Sequence, residues 1–158
     1  MGRCSTGAET CEGSARIELS SLLKAGYLRK GCKVKGSLNW QYRGSPSGNI
    51  GFESVWSEDE NYIRLIYTLT ERNSEEAFKY DYKVFLTSVP SNLGKGNILY
   101  FLCPVSGKRC RVLYRAYGSQ IWKSRGAYEN KLYYSSQLSS KMSYANDRFW
   151  NLDRKIEK

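Results

Sequence analysis

Residues 62–87 read YIRLIYTLT, then ERNSEEAF, then KYDYKVFLT. In the first and third of these segments, apolar or aromatic residues occupy every second position: Ile63, Leu65, Tyr67 and Leu69, followed by Tyr80, Tyr82, Val84 and Leu86. Such alternation is typical of β-strands with one buried face. Because only a short polar segment separates the two strands, the sequence predicts that they pair as an antiparallel hairpin.

The segments that precede this hairpin extend the antiparallel pattern. Residues 37–43 and 49–56 surround a turn at 44–48 that is rich in Gly and Ser, which predicts another hairpin. Residues 18–25 carry leucines at helical spacing and are followed by Gly26, so a short helix is expected there. The predicted fold class is mainly β (α+β): an antiparallel meander or partial barrel with a short N-terminal helix that caps one open end.

Composition divides the chain into four parts. Residues 1–16, rich in Gly, Ser and Thr, are expected to form a flexible lead, and residues 17–94 the antiparallel β domain with its short helix. A short linker leads to residues 95–137, which are expected to form a small basic unit. Residues 138–158 carry apolar side chains at spacings of 3 and 4, which predicts a C-terminal amphipathic helix.

The net charge of +10 is concentrated in the second half of the chain. Residues 1–94 contain 12 Lys or Arg against 11 Asp or Glu, whereas residues 95–158 contain 13 against 4. Within residues 95–131, Glu129 is the only acid. This asymmetry favours a surface that binds nucleic acid or another polyanion. A solubilising charge and an acidic protein partner are the open alternatives.

Several classes of protein are disfavoured by what the sequence lacks. It contains no histidine, which removes the commonest general base and metal ligand, so an enzyme is not expected. No apolar run approaches the 18 residues of a membrane span, and no signal sequence is recognisable, so a cytoplasmic protein without membrane contact is expected. The cysteines at 4 and 11 and at 103 and 110 are seven residues apart, which predicts opposite strand faces and no shared metal.

Residues 101–137 have the pattern of a zinc ribbon without its zinc ligands. A true ribbon would place Cys at 103, 106, 124 and 127, as two C-x-x-C pairs around one tetrahedral ion. Those positions hold Cys103, Ser106, Ser124 and Ala127. A single thiolate cannot hold a structural zinc ion, so the sequence predicts a ribbon-like unit with no metal or cofactor. Its three short strands are expected at 99–103, 110–117 and 120–124.

This pattern resembles an uncharacterised family of small bacterial proteins, common on mobile elements, that combine an N-terminal β region with a C-terminal zinc ribbon. The residues that match the family's ribbon motifs are Phe101, Cys103, Pro104, Gly107, Arg109, Leu113, Tyr114, Arg125, Leu132, Tyr134, Ser136 and Gln137. Residues 19–28 resemble the family's opening helix, and residues 61–67 and 80–86 its central strands. The resemblance implies a degenerate, metal-less member, with residues 138–158 outside the shared pattern.

The candidate binding residues lie between positions 95 and 131. Cations neutralise phosphates and aromatic rings stack on bases, so basic residues interleaved with aromatic residues favour nucleic acid. The candidate site residues are Lys108, Arg109, Arg111, Arg115, Tyr117, Trp122, Lys123, Arg125 and Lys131. Tyr117 and Trp122 are the candidate stacking rings, although the same rings would also suit the core of a small unit without metal.

The sequence therefore predicts a non-enzymatic protein that binds nucleic acid, DNA or RNA, or a nucleoprotein complex. The alternative is an interaction protein, encoded by a mobile element or phage, that inhibits a host defence complex in the manner of an anti-CRISPR protein by docking on its nucleic-acid path. A third possibility is a histidine-free nuclease whose metal is held by carboxylates, which the four acids of the basic half disfavour.

Overall fold

The computed structural model describes residues 7–42, 45–70 and 76–138. Its strands and helices, in chain order, are β1 (Ala15–Glu18), α1 (Leu19–Lys24), β2 (Cys32–Tyr42), β3 (Ser45–Trp56), β4 (Asn61–Thr70), β5 (Ala77–Pro90), β6 (Asn97–Leu102), β7 (Arg109–Cys110), β8 (Val112–Arg115), a 3₁₀ turn (Arg125–Ala127) and α2 (Ser135–Leu138). Apart from Leu138, the predicted C-terminal helix lies outside the described residues. Within the described residues, no helix is long and apolar enough to cross a membrane.

Strands β2 to β7 form one antiparallel sheet in chain order, and this sheet curls into a half-barrel. The mainly β, antiparallel prediction is confirmed. In the β4–β5 hairpin, Ile63 lies opposite Val84 and Leu65 lies opposite Tyr82. All four of these residues face the interior, because successive side chains of a strand point to opposite faces of the sheet.

The main core lies on the concave side of the half-barrel, where α1 and residues of the basic unit pack against the sheet. Its buried members are Ile17, Leu19, Leu22, Leu28, Ile50, Phe52, Ile63, Leu65, Tyr67, Val84, Leu86, Leu99, Phe101, Leu113 and Trp122. On β2, Gly36 lies directly opposite Phe52, and a Cβ at this position would lie 2.9 Å from the Phe52 ring. The absence of a side chain at Gly36 therefore makes room for a core ring.

A second, two-stranded sheet joins the two ends of the described chain. β1 pairs antiparallel with β8, so that Ala15 lies opposite Arg115. Before β1, the backbone N–H of Cys11 donates to the carbonyl of Tyr133 over 2.8 Å. Residues 9–16 of the expected flexible lead are thus hydrogen-bonded to the C-terminal part of the chain. A four-residue strand is too short to produce a periodic signal, so this pairing could not be predicted from the sequence.

The basic unit contains less strand than predicted. The 110–117 segment is divided at Arg111 into β7 and β8, and the expected strand at 120–124 is reduced to one bridge between Tyr114 and Lys123. The chain turns tightly after β8, at Tyr117 and Gly118, which have φ values of 51° and 66°. This turn ends the predicted 110–117 strand early and limits its pairing with residues 120–124. Positive φ angles end a strand because they reverse its direction.

β8 lies between two cores. Leu113 points into the main core, whereas Tyr114 points into a smaller cluster with Cys11, Ala116 and Leu132. Both faces of this strand are therefore covered by protein at its centre. The exposed basic residues Lys108, Arg109 and Arg111 therefore lie before β8, whereas Arg115, on β8 itself, is half-buried.

Candidate nucleic-acid interface

The loop between β6 and β7 brings two cations to the surface. The backbone N–H of Cys103 donates to the Lys108 carbonyl over 3.0 Å, and the N–H of Gly107 donates to the Cys103 carbonyl over 2.8 Å. Gly107 has a φ of 66°, a conformation that favours glycine. This tight loop leaves Lys108 and Arg109 exposed at its end.

The Cys103 sulfur is the centre of the same loop. Burial raises the pKa of this thiol, but hydrogen bonds from Ser106 and Ser124 outweigh burial and lower the pKa to about 7. One of these bonds is from the Ser124 backbone N–H, 3.2 Å from the sulfur. Three of the four positions that a zinc ribbon would use therefore meet at one sulfur. Within the described residues, no group of three or more His, Cys, Asp or Glu side chains could hold a metal ion.

The prediction that Cys103 and Cys110 point to opposite faces is wrong. Phe101 lies opposite Cys110 across the β6–β7 hairpin, and Cys103 is two residues beyond Phe101, so both cysteines face the same side. The spacing rule applies within one strand, whereas here a turn intervenes. Burial, together with the charge of Cys103, raises the pKa of Cys110 to about 12.

An open groove of about 370 Å³ lies between this hairpin and the 3₁₀ turn. Its charged lining, in the part of the chain that the structure describes, consists of Lys108, Arg109, Arg111 and Arg125 and includes no acid. Tyr134 also lines the groove, and 42% of this residue is exposed. We call these five residues the basic groove. Four cations without an intervening acid create a positive potential that attracts an anion.

The described cations of the basic unit have no acidic partners. All five salt bridges within the described residues lie between positions 16 and 83. Instead, Lys123 lies 4.4 Å from the centre of the Tyr128 ring, and Lys131 lies 5.1 Å from the Tyr133 ring. A cation–π contact leaves the positive charge available to a ligand, because the ring carries no net charge.

Arg125 stabilises the fold through hydrogen bonds in addition to carrying a charge into the groove. Its Nε–H donates to the Leu132 carbonyl over 2.7 Å, and Nη2 donates to the Gln137 side chain over 3.0 Å. The guanidinium also lies 4.5 Å from the Tyr134 ring centre. Arg125 therefore holds the segment that carries Tyr134 against the groove, and part of its hydrogen-bonding capacity is already used.

The two predicted stacking rings are not free to stack on bases. Trp122 is only 1% exposed and packs in the main core, 5.1 Å from the Trp40 ring. Tyr117 is half-buried, and its hydroxyl accepts a hydrogen bond from the Glu9 N–H and donates to the Lys131 carbonyl. The core interpretation therefore holds for Trp122, whose buried ring cannot stack on the bases of a nucleic acid.

The exposed ring of the groove is Tyr134, which matched a family motif in the sequence but was not among the predicted binding residues.

The nine predicted residues do not form one surface. Arg115 lines a separate cavity with Trp122, on the side of β8 opposite the Tyr114 side chain. Lys108, Arg109, Arg111 and Arg125 are brought together, whereas Lys123 and Lys131 are not part of the groove lining.

Comparisons with protein-family models, with curated proteins and with solved structures found no match to this chain.

Proposed function

We propose that this protein binds nucleic acid at the basic groove, mainly through backbone phosphates and without catalysing a reaction. The observation that carries the proposal is the set of four groove cations, none of which forms a salt bridge to any described acid. Elsewhere in the described structure, cations such as Lys33 and Lys35 pair with a carboxylate, that of Glu53. Of the groove cations, Arg125 holds the fold through a carbonyl and an amide, which leaves its charge unneutralised.

The geometry supports backbone contacts rather than base recognition. The groove is open, and its Lys and Arg side chains extend from a loop and a turn, so they can follow a chain of phosphates. The exposed Tyr134 ring offers a stacking surface for one unpaired base, which would contribute roughly 1–3 kcal/mol. A ligand of either DNA or RNA suits these contacts.

The test is fluorescence anisotropy with single-stranded DNA, duplex DNA and a structured RNA across a salt series. If all four cations neutralise phosphates, the slope of log K against log salt should be about −2.8 for a single strand and about −3.6 for a duplex. Lys108→Gln and Arg111→Gln should each reduce the single-strand slope by about 0.7. The matched control is Lys30→Gln, which removes one charge from an exposed residue outside the groove and should leave the slope unchanged.

A different result would overturn the proposal. Weak binding to all three probes, with no dependence on salt, would show that the groove does not bind nucleic acid. That outcome would favour the alternative of an interaction protein from a phage or mobile element, which docks on the nucleic-acid path of a host defence complex. A pull-down with purified complexes, with and without bound nucleic acid, would then be the direct measurement.

A further inference from the structure

A second cavity, of about 200 Å³, lies at one end of the half-barrel, away from the basic groove. Its walls come from β2, β3, β4 and β8 and include Trp40, Ile50, Tyr67, Leu69, Arg115 and Trp122. Among the described residues, no acid lines it. The described part of the walls therefore combines aromatic and aliphatic side chains with one cation, Arg115, and with the polar side chains of Ser47, Asn49, Thr68 and Thr70. Rings together with a few convergent polar groups are typical of a small-ligand site.

The cation of this cavity has no carboxylate partner among the described residues. Arg115 follows Leu113 by two positions on β8, so it lies on the interior side of that strand, and it is half-buried. Its charge acts on the hydroxyls of Tyr67 and Tyr82, where it opposes the rise in pKa that burial causes. A guanidinium withdrawn from water without an anion is unfavourable, and an anionic ligand would remove this penalty.

A second unpartnered donor lies in the same wall. The Trp122 ring is 99% buried by protein, and its Nε1–H has no acceptor in the described structure. By contrast, Nε1 of the neighbouring Trp40 donates to the Arg16 carbonyl over 3.0 Å. Buried donors are nearly always paired in folded proteins. A side chain that lines the cavity therefore carries an unsatisfied donor.

We infer that this cavity binds a small aromatic carboxylate. The carboxylate would accept hydrogen bonds from Arg115, which favours planar, two-oxygen acceptors. The ring would pack between Trp40 and Leu69, where apolar surface is already half-buried. The volume suits a single ring, since a cavity of about 150 Å³ in another protein holds benzene. This inference is independent of nucleic-acid binding, because Arg115 does not line the basic groove.

The test is calorimetric titration of the full chain with benzoate and with benzamide, its uncharged counterpart. Benzoate should bind saturably with one site per chain and should change tryptophan fluorescence, because two tryptophans line the cavity. Benzamide should bind at least tenfold more weakly, since it lacks the negative charge. Comparable affinities for both probes, or no saturation with benzoate up to about 10 mM, would overturn the inference.

Variants separate this site from the basic groove. Arg115→Met keeps most of the side-chain length and should reduce benzoate affinity at least tenfold. Arg111→Met, the same change at an exposed groove residue, should leave benzoate affinity unchanged. Salt-dependent nucleic-acid binding should show the opposite pattern, so that failure of one site is distinguishable from failure of the other. Unchanged benzoate affinity in Arg115→Met, with a native circular dichroism spectrum, would contradict the assignment.

Discussion

Replacement of Cys103 by Ser should change how the stability of this protein depends on pH. Hydrogen bonds from Ser106 and Ser124 lower the pKa of the buried Cys103 thiol to about 7, against the opposing effect of burial. A cysteine in an unfolded chain has a pKa of about 8.5. Because the folded-state pKa is the lower one, the thiolate stabilises the fold above the unfolded pKa, and this stabilisation is lost as pH falls through about 7.

The size of the effect follows from the two pKa values. With about 7 for the folded and about 8.5 for the unfolded state, ionisation of Cys103 contributes less than about 1 kcal/mol to the free energy of unfolding at pH 7 and about 2 kcal/mol at pH 9. Serine does not ionise in this range. The difference in unfolding free energy between wild type and Cys103→Ser should therefore grow by about 1–2 kcal/mol between these pH values.

Urea unfolding in the presence of a reductant, at pH 7, 8 and 9, measures this difference. Any loss of packing in the variant is independent of pH, so the change with pH isolates the thiolate. Cys110, whose raised pKa has the opposite effect on stability, is present in both proteins. Cys32→Ser is the matched control, because it makes the same substitution at an exposed cysteine away from Ser106 and Ser124. A wild-type-to-variant difference that is constant from pH 7 to pH 9 would refute the reasoning.

Three further outcomes are expected. Trp122→Ala should lower the free energy of unfolding by about 3–5 kcal/mol, measured by urea denaturation, because it empties a buried site beside Trp40; a change below about 1 kcal/mol would place the ring outside the core. Gly36→Val should lower it by about 1–3 kcal/mol, since the new side chain meets the Phe52 ring, and an unchanged melting curve would contradict this contact. Metal analysis of the purified protein should find no stoichiometric zinc, because Cys103 is the one thiol at the four ribbon positions. One zinc ion per chain would contradict this expectation and would show that other residues bind the metal.

The parts of the fold that could be predicted from sequence are those with a strong local period. Strands β4 and β5 alternate over many residues, so the positions of Leu65 and Val84 in the core followed directly from the pattern. β1 could not be found in this way. It has four residues, and it is a strand because β8 lies beside it, a relation between positions far apart in the chain.

The sequence could predict which charged side chains of the basic unit reach the surface, but not where its aromatic rings lie. Lys108 and Arg111 are exposed because cations are rarely buried, a rule that depends on residue type alone. The orientation of an aromatic ring depends on what packs against it. Trp122 lies next to Lys123 in sequence, which suggested a surface position, but the bridge from Lys123 to Tyr114 fixes the backbone so that Trp122 faces the main core.

The pairing of β1 with β8 has a consequence for the synthesis of the protein. Ala15 and Arg115 are 100 positions apart, so the first strand leaves the ribosome long before its partner exists. At about 5–20 residues per second, translation of the intervening segment takes about 5–20 s. During that interval the hydrogen-bonding groups of β1 are unpaired, and a chaperone or another nascent chain can bind them. Slowing translation within residues 15–115 should therefore lower the yield of folded protein more than slowing it after Leu138.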